Sequence, residues 1–384
     1  MQIYIIIAVI FGGLYVCLIL YYLWGWLRLK EYQTEKKQFQ TFVSVIIPAR
    51  NEETNIQNIL QDLKDQYYPK HLFEIIVIDD FSTDNTSRIV KSLVSEQIKL
   101  FSLQELTGNT ASEKSNKKLA IQKAVEQAKG ELIITTDADC HAGNNWLRTI
   151  VSYYEEKKPV MIAGMVTYFY DSSFLGKFQT LDFLSLVGIG AASMSNGFYN
   201  LCNGANLAYT KEAFFQVDGY KNIDHIASGD DMMLMHKLAK KFPGKISFLK
   251  NKDALIYTHT TKDLASFWQQ RLRWTSKSTH YEDKRITIIL AFVYCFNLAL
   301  PLCLFVGFIL PPFLKIAMWL FLVKICVDTI FTYSIAKFFR RENLLWLFLP
   351  MQTIHILYII LIAPAGIFGK YQWKNRTVHQ TKSA

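Results

Sequence analysis

Apolar and polar positions divide this chain into two kinds of stretch. Residues 1–27, 286–310 and 343–369 contain no Asp, Glu, Lys or Arg, while 313–336 is apolar around Lys324 and Asp328 at helical i,i+4 spacing. Roughly 20 apolar residues rising about 1.5 Å each span the hydrocarbon of a bilayer. The pattern therefore predicts four membrane segments, the third being the one with internal charge. Between residue 42 and about 260 the pattern changes. Short β-rich runs at Phe42–Ile47, Glu74–Ile78, Ile98–Leu103 and Glu131–Thr136 alternate with helical stretches at Glu52–Gln66, Thr83–Ser95 and Lys117–Ala128, the last stopped by Gly130. Such alternation predicts an α/β domain of crossover units on a mainly parallel sheet.

Composition sharpens this picture. Of the 384 residues 51% are hydrophobic and 19% charged, and mean hydropathy is +0.13, which excludes a disordered chain and does not suit an ordinary soluble enzyme. The first segment is too long for a cleaved leader, lacks a basic start, and carries Leu23, Trp24 and Trp26 where a cleavage site needs small residues. It reads as a retained anchor. Arg28, Lys30, Lys36 and Lys37 follow it and mark the cytosolic side. The expected organisation is an anchor at 1–27, a basic linker at 28–41, a cytosolic domain at 42–260, an interfacial helix at 261–285, about three membrane segments within 286–369 and a basic tail at 370–384. Three crossings would leave Lys370, Lys374, Arg376 and Lys382 outside. A re-entrant segment containing Pro350 and Pro364, or an interfacial third segment, brings the tail back inside.

The net charge of +10 fits lysines and arginines flanking a membrane, and no basic run with interleaved aromatics points to nucleic acid. Of the six cysteines only Cys140 and Cys202 lie in the central region, without CxxC spacing, so zinc and a structural disulfide are not expected.

Ligands of such sheets collect beyond the carboxyl ends of the strands. There the sequence places Pro48-Ala49-Arg50-Asn51-Glu52, Asp79-Asp80 and Asp137-Ala138-Asp139. No GxGxxG or GxxxxGK[ST] loop is present, so any bound diphosphate must be neutralised by metal and basic side chains. The Asp137–Asp139 carboxylates are hard oxygen ligands for Mg²⁺ or Mn²⁺; the same residues would also serve as a helix cap. Asp84 reads as a cap, and Asp79-Asp80 either favours the following helix or recognises a polar base. Ser228-Gly229-Asp230-Asp231 precedes a helix at Met232–Lys240 and offers a general base or an acidic cap. Asn203-Gly204-Ala205-Asn206 is a turn or a close approach for an acceptor. His259 is a loop histidine or an additional metal ligand. Trp268, Gln269, Gln270, Arg271, Arg273 and Trp274 suit both a headgroup-level amphipathic helix and a diphosphate-binding surface.

Taken in order, Ser44–Glu53, Val77–Ser82, Thr136–Asp139, Gly229–Asp231 and Gln270–Trp274 resemble the motifs of membrane-bound inverting glycosyltransferases of family 2. That group includes cellulose, hyaluronan and poly-N-acetylglucosamine synthases and ceramide glucosyltransferase. The resemblance covers about residues 43–275 and implies a GT-A nucleotide-sugar fold. It implies that Pro48, Arg50, Asn51, Glu52, Asp79, Asp80, Lys117, Asp137, Gln270 and Arg273 hold the donor, with Asp80 at the uridine end. Asp139, with Asp137 beside it, would hold Mg²⁺ or Mn²⁺. Asp231 would be the base and Asp230 would help position acceptor or donor, while Asn203, Gly204 and Trp274 would border the acceptor. The implied partners are a nucleotide sugar, a lipid or glycan acceptor and membrane lipid, with no nucleic acid. An export channel could be completed by an oligomer or a partner. A processive polysaccharide synthase, an inactive anchored binding module and a transporter are the alternative readings.

Overall fold

The computed structural model describes residues 2–35, 38–108, 117–224, 226, 228–373 and 376–378; Lys36, Lys37, Lys374 and Lys382 of the basic flanks lie outside them. Helix α1 (Gln2–Arg28) leads into β1 (Val43–Ala49), α2 (Ile56–Lys64), β2 (Phe73–Asp79), α3 (Thr86–Leu93), β3 (Ile98–Ser102), the short α4 (Leu103–Thr107), α5 (Lys117–Gln127) and β4 (Leu132–Thr135). There follow β5 (His141–Ala142), α6 (Trp146–Lys157), β6 (Met161–Ala163), β7 (Val166–Tyr168), α7 (Phe174–Ser195), β8 (Leu207–Thr210), α8 (Lys211–Gln216), α9 (Asp230–Lys241), β9 (Ile246–Phe248) and β10 (Ile256–Thr258). The chain ends with α10 (Leu264–Ser276), α11 (Lys284–Gly307), α12 (Pro312–Phe338), a 3₁₀ turn at Glu342–Leu347 running into α13 (Phe348–Phe368), and the small hairpin β11 (Tyr371–Trp373) and β12 (Arg376–Val378).

The main sheet has the order β3-β2-β1-β4-β8-β6-β9. Its first four strands are mutually parallel, as the alternation predicts. Their almost wholly buried Val and Ile residues are what a sheet covered on both faces requires. Strand β8 is antiparallel to both neighbours, so the segment before it, rather than after it, reaches the edge where β1, β2 and β4 end. A three-stranded sheet, β5-β10-β7, lies beyond that edge.

Gly130 does not act as a left-handed helix stop. Its φ is not positive; a Cβ there would come within 2.4 Å of the Ser44 nitrogen, so glycine is needed for the close approach of α5's exit to β1. Buried Glu74 holds the same corner. It accepts from Ser44 Oγ at 2.7 Å, the Lys129 amide at 2.6 Å and Lys99 Nζ at 2.5 Å. Burial pushes its carboxyl up, yet Lys99 and these donors override it and hold it below the usual range. Because the folded value is lowered, its contribution is complete above about pH 4.3, the unfolded value, and is lost as pH falls through the folded one. Glu74→Ala is expected to lower stability by about 2–4 kcal/mol, measured by denaturant unfolding at pH 7.

Among the described residues three helical stretches are long and apolar enough to cross a membrane: Gln2–Arg28, Lys284–Gly307 and Glu342–Phe368. The expected third segment does form a helix, α12, of 27 residues, but it is not among those three. Its Lys324 and Asp328 pair at 2.7 Å and both meet the Tyr15 hydroxyl of α1. The cysteines are free, with Cys140 and Cys202 buried as expected.

Candidate active site

Parallel β1, β2 and β4 bring their carboxyl ends to one edge, Ala49 standing opposite Asp79 and Ile46 opposite Thr135. The Asp80 amide donates to the Ala49 carbonyl and the Thr136 amide to Ile46, so the polar residues after each strand emerge side by side. The crevice they form is lined by Pro48, Ala49, Arg50, Glu52, Asp80, Lys117, Asp137, Ala138, Asp139 and Arg273. Arg50 donates to the Asp80 carbonyl at 2.8 Å, and Asp80 itself is buried.

Lys117 joins this crevice to the acidic start of α9. Its ammonium lies 2.7 Å from Asp137 Oδ1 and 3.3 Å from Asp230 Oδ2. Burial alone would lower its pKa, but these carboxylates raise it, so it stays charged. Burial likewise pushes Asp230 up, and Lys117, Lys118 and Lys277 together pull it below the usual range. Lys118 is pushed down to about 8 by burial and donates to the carbonyls of Ile223 and Ile226.

The helix α9 begins two residues earlier than expected, at Asp230, with Gly229 at φ 79° as its entry. Both acids thus sit in its first turn, where the helix dipole favours negative charge. Asp231 accepts from the Gly204 amide at 3.2 Å and faces Lys277 at 3.5 Å. Gly204 is a close-approach residue, since a Cβ there would meet Asp230 Oδ2 at 3.1 Å and stand 3.8 Å from Lys117 Nζ. Asn203 caps the 3₁₀ turn Gly204–Asn206 by accepting from the Ala205 amide, and Asn206 is a buried structural hub between Trp146, Met165 and Ala254.

Several expected donor contacts are not on the crevice wall. Asn51, at φ 51°, accepts from the Thr83 amide, and Asp79 accepts from the Ser82 amide, so both shape the loops behind the wall. Asp84, expected as the cap, lies one residue before the N-cap Asn85 and accepts from the first helical amide, Thr86. Gln270 is absent from the lining residues; Arg273, three residues on, reaches it. Trp274 packs on Phe183 and under the Arg271 guanidinium, 4.2 Å from its ring centroid, which makes it part of the support for α10. His259 has a histidine neighbour, His141 at 6.1 Å between centroids, but His141 is engaged by Asp62 at 3.0 Å.

Two features escape a reading by motif. Lys277, which faces Asp231, is at i,i+4 from Arg273, and that spacing was the available signal. Buried Arg271 pairs with Asp182 at 2.9 Å, and His355 of α13 stands 3.3 Å from the same carboxylate; this clasp joins residues too far apart in sequence to leave a local signal.

Among the described residues no group of three or more His, Cys, Asp or Glu side chains gathers as a metal cage. The Asp137–Asp139 pair at an open crevice still fits Mg²⁺ or Mn²⁺. Such ions commonly take one or two protein carboxylates and complete their shell with water and substrate phosphate.

Comparison with known proteins agrees with this geometry. The chain matches the family described as Glycosyl transferase family 2 over residues 44–215 and Glycosyl transferase family group 2 over residues 132–363. It is 28% identical over 249 residues to the poly-beta-1,6-N-acetyl-D-glucosamine synthase of Staphylococcus epidermidis, covering 64% of this chain and 57% of that protein. It is 28% identical over 202 residues to the glycosyltransferase AglE of Haloferax volcanii, 50% of this chain and 59% of that one. With the beta-monoglucosyldiacylglycerol synthase of Nostoc it shares 31% over 131 residues, 34% of this chain and 27% of that protein. The chain thus spans less than two thirds of these relatives. A mannosyltransferase from Pyrobaculum calidifontis, solved with GDP-Man and Mn²⁺, superposes with a TM-score of 0.61 over 94% of this chain and 97% of that one at 18% identity, and so shares the GT-A fold.

Proposed function

The chain belongs to the family 2 glycosyltransferases, and from that premise we propose that it is a membrane-bound inverting enzyme that transfers a hexosyl or N-acetylhexosaminyl group from a nucleotide donor, UDP-linked in the first instance, to a lipid or lipid-linked acceptor. The observation carrying this reading is the meeting of Asp80, Asp137, Asp139, Lys117 and Arg273 in one crevice, with the Asp230–Asp231 turn joined to it through Lys117.

Asp80, on the same crevice wall, would recognise the nucleoside end of the donor. Asp137 and Asp139 would hold Mg²⁺ or Mn²⁺, which supplies Lewis-acid stabilisation of a departing diphosphate. Lys117 and Arg273 add positive charge along the same crevice, where preorganised donors stabilise developing negative charge. Asp231, oriented by the Gly204 amide and Lys277, takes the proton of the acceptor hydroxyl. That oxygen bonds to the sugar C1 as the C1–O bond to the diphosphate breaks. A single displacement inverts the anomeric centre, giving a β-linkage from an α-linked donor.

The Nostoc relative, named for a glucosyl lipid, and the exposed apolar helices support a lipid acceptor. The Staphylococcus relative, named as a polymer synthase, supports processive extension as the second reading. Membranes containing the chain, incubated with labelled nucleotide sugars and Mg²⁺ or Mn²⁺, should yield a labelled lipid carrying one added sugar. A ladder of product lengths establishes the second reading instead. No transfer from any donor, by protein that remains folded, rejects both. Chelation by EDTA should remove transfer, and added Mn²⁺ or Mg²⁺ should restore it.

Lys277→Met is expected to lower kcat by about 10²-fold with little change in donor KM, because it disturbs the aim of Asp231 rather than donor contacts. Lys277→Arg should recover much of the loss. Equal damage by both variants would deny the ammonium that positioning role.

A further inference from the structure

The stretch 342–368 has the length and apolarity of a membrane span, yet its start touches the sheet-bearing domain and its end touches α10, the helix that leads out of that domain. At its start, Arg341 reaches the Tyr168 carbonyl at 3.5 Å and its guanidinium stands 5.6 Å from the Tyr170 ring. At its end, Gly366 lies so close to Thr275 that an added Cβ would meet the threonine Cβ at 2.5 Å. Thr275 is two residues from Lys277, which faces Asp231. In between, Tyr358 packs on Phe267 at 5.6 Å and Ile362 on Leu272. Positions 358, 362 and 366 therefore advance with 267, 272 and 275, and α13 runs beside α10 in the same direction.

A helical stretch of 27 residues is about 40 Å long, more than the roughly 30 Å hydrocarbon thickness. Were it to cross, its ends would emerge on opposite sides, and a folded domain together with the α10 that follows it, both on one side, could not touch both. We propose that residues 342–368 stay within the leaflet on the catalytic side, and that the crossing helices are α1, α11 and α12; this rests on the membrane-bound reading above.

The remaining contacts agree. Tyr4 of α1 meets Phe313 of α12 at 5.4 Å, near the α11–α12 turn where Gly307 packs on Leu314. The opposite ends of α1 and α12 meet through Trp26 and Phe338 at 5.7 Å, beside Lys250, which donates to the Trp26 and Leu29 carbonyls. The long apolar helix that is not among the three candidate spans thus crosses, because Lys324 and Asp328 neutralise each other and share the Tyr15 hydroxyl inside the bundle.

Gln352 reaches Asp328 at 3.4 Å, about 15 Å along α12 from Phe338. The stretch accordingly dips to about half the hydrocarbon depth before returning along α10. Trp346, Leu349, Ile354, Leu357, Leu361 and Phe368 are exposed along it, at spacings that suit an apolar face. Lipid of that leaflet is its occupant, since the same contacts join it to the crossing helices. The chain after Phe368 then lies on the catalytic side, where a basic tail is favoured.

Oriented, sealed vesicles carrying the full chain test this with a membrane-impermeant maleimide on Ala384→Cys, Lys91→Cys on the sheet-bearing domain, and Leu310→Cys in the α11–α12 turn. Ala384→Cys and Lys91→Cys should label from one face and Leu310→Cys from the other. Labelling of Ala384→Cys from the Leu310 face, with the chain resisting carbonate extraction, overturns this inference alone. Release of the wild-type chain by carbonate overturns it together with the membrane-bound reading. If a cysteine variant does not accumulate, C-terminal fusions of a cytosol-active fluorescent protein and an export-dependent phosphatase decide: fluorescence supports the assignment and phosphatase activity overturns it.

Discussion

Asp139→Ala should reduce sugar transfer to background, a loss of at least about 10³-fold, while leaving the unfolding midpoint close to that of the wild type. The expectation follows from where Asp139 stands. It is in the loop after β4 and lines the open crevice, so its removal leaves no cavity in the sheet. Asp137 alone is a poor substitute, because Lys117 already lies 2.7 Å from one of its oxygens. Donor binding provides the diagnostic measurement. If Asp139 holds the ion, the variant's affinity for a nucleoside diphosphate should lose its dependence on Mn²⁺, whereas binding without metal should change little. Near-wild-type turnover, or metal-dependent binding that survives the substitution, would remove Asp139 from the metal site.

The crevice was legible in the sequence because one geometric rule connects its parts. Parallel strands expose the residues that follow them at a common edge, and three such segments ended in Pro48–Glu52, Asp79-Asp80 and Asp137–Asp139. The rule locates a loop; it does not say which side chains face inward. Arg50, Asp80 and Asp139 line the crevice, while Asn51 and Asp79 turn back to hold the amides of Thr83 and Ser82. The Arg271–Asp182–His355 clasp depends on how α10 packs against α7 and α13, and pairwise packing of distant helices leaves no periodic trace; the i,i+4 spacing puts Lys277 on the Arg273 face, but that this face meets Asp231 depends on packing against α9. The long apolar helices show the same limit. Hydropathy measures whether a segment tolerates lipid, but whether it crosses depends on where its ends are anchored. Arg341 and Gly366 supply that information only through contacts with Tyr168 and Thr275. Likewise, the charges of α12 count against it one residue at a time and are compensated only when Tyr15 joins them.

Asp231→Asn should slow transfer by about 10²–10⁴-fold, the usual worth of a general base, without a matching loss of donor affinity. The substitution is nearly isosteric, and the amide oxygen can still accept from the Gly204 N–H, so the turn that aims position 231 can persist. What disappears is the basic oxygen that, in the proposed mechanism, takes the acceptor proton. Loss of negative charge in the first turn of α9 costs only about 0.3–1 kcal/mol through the helix dipole, but buried Lys277 also loses its carboxylate partner. Combining Asp231→Asn with Lys277→Met separates these effects. Removing the unpaired ammonium should recover stability and leave the catalytic loss in place. Asp230→Asn provides the internal comparison, because Asp230 is tied to Lys117 at 3.3 Å and should affect donor KM as well as kcat. A folded Asp231→Asn enzyme turning over at the wild-type rate, beside an inactive Asp230→Asn, would transfer the role of base to the neighbouring residue.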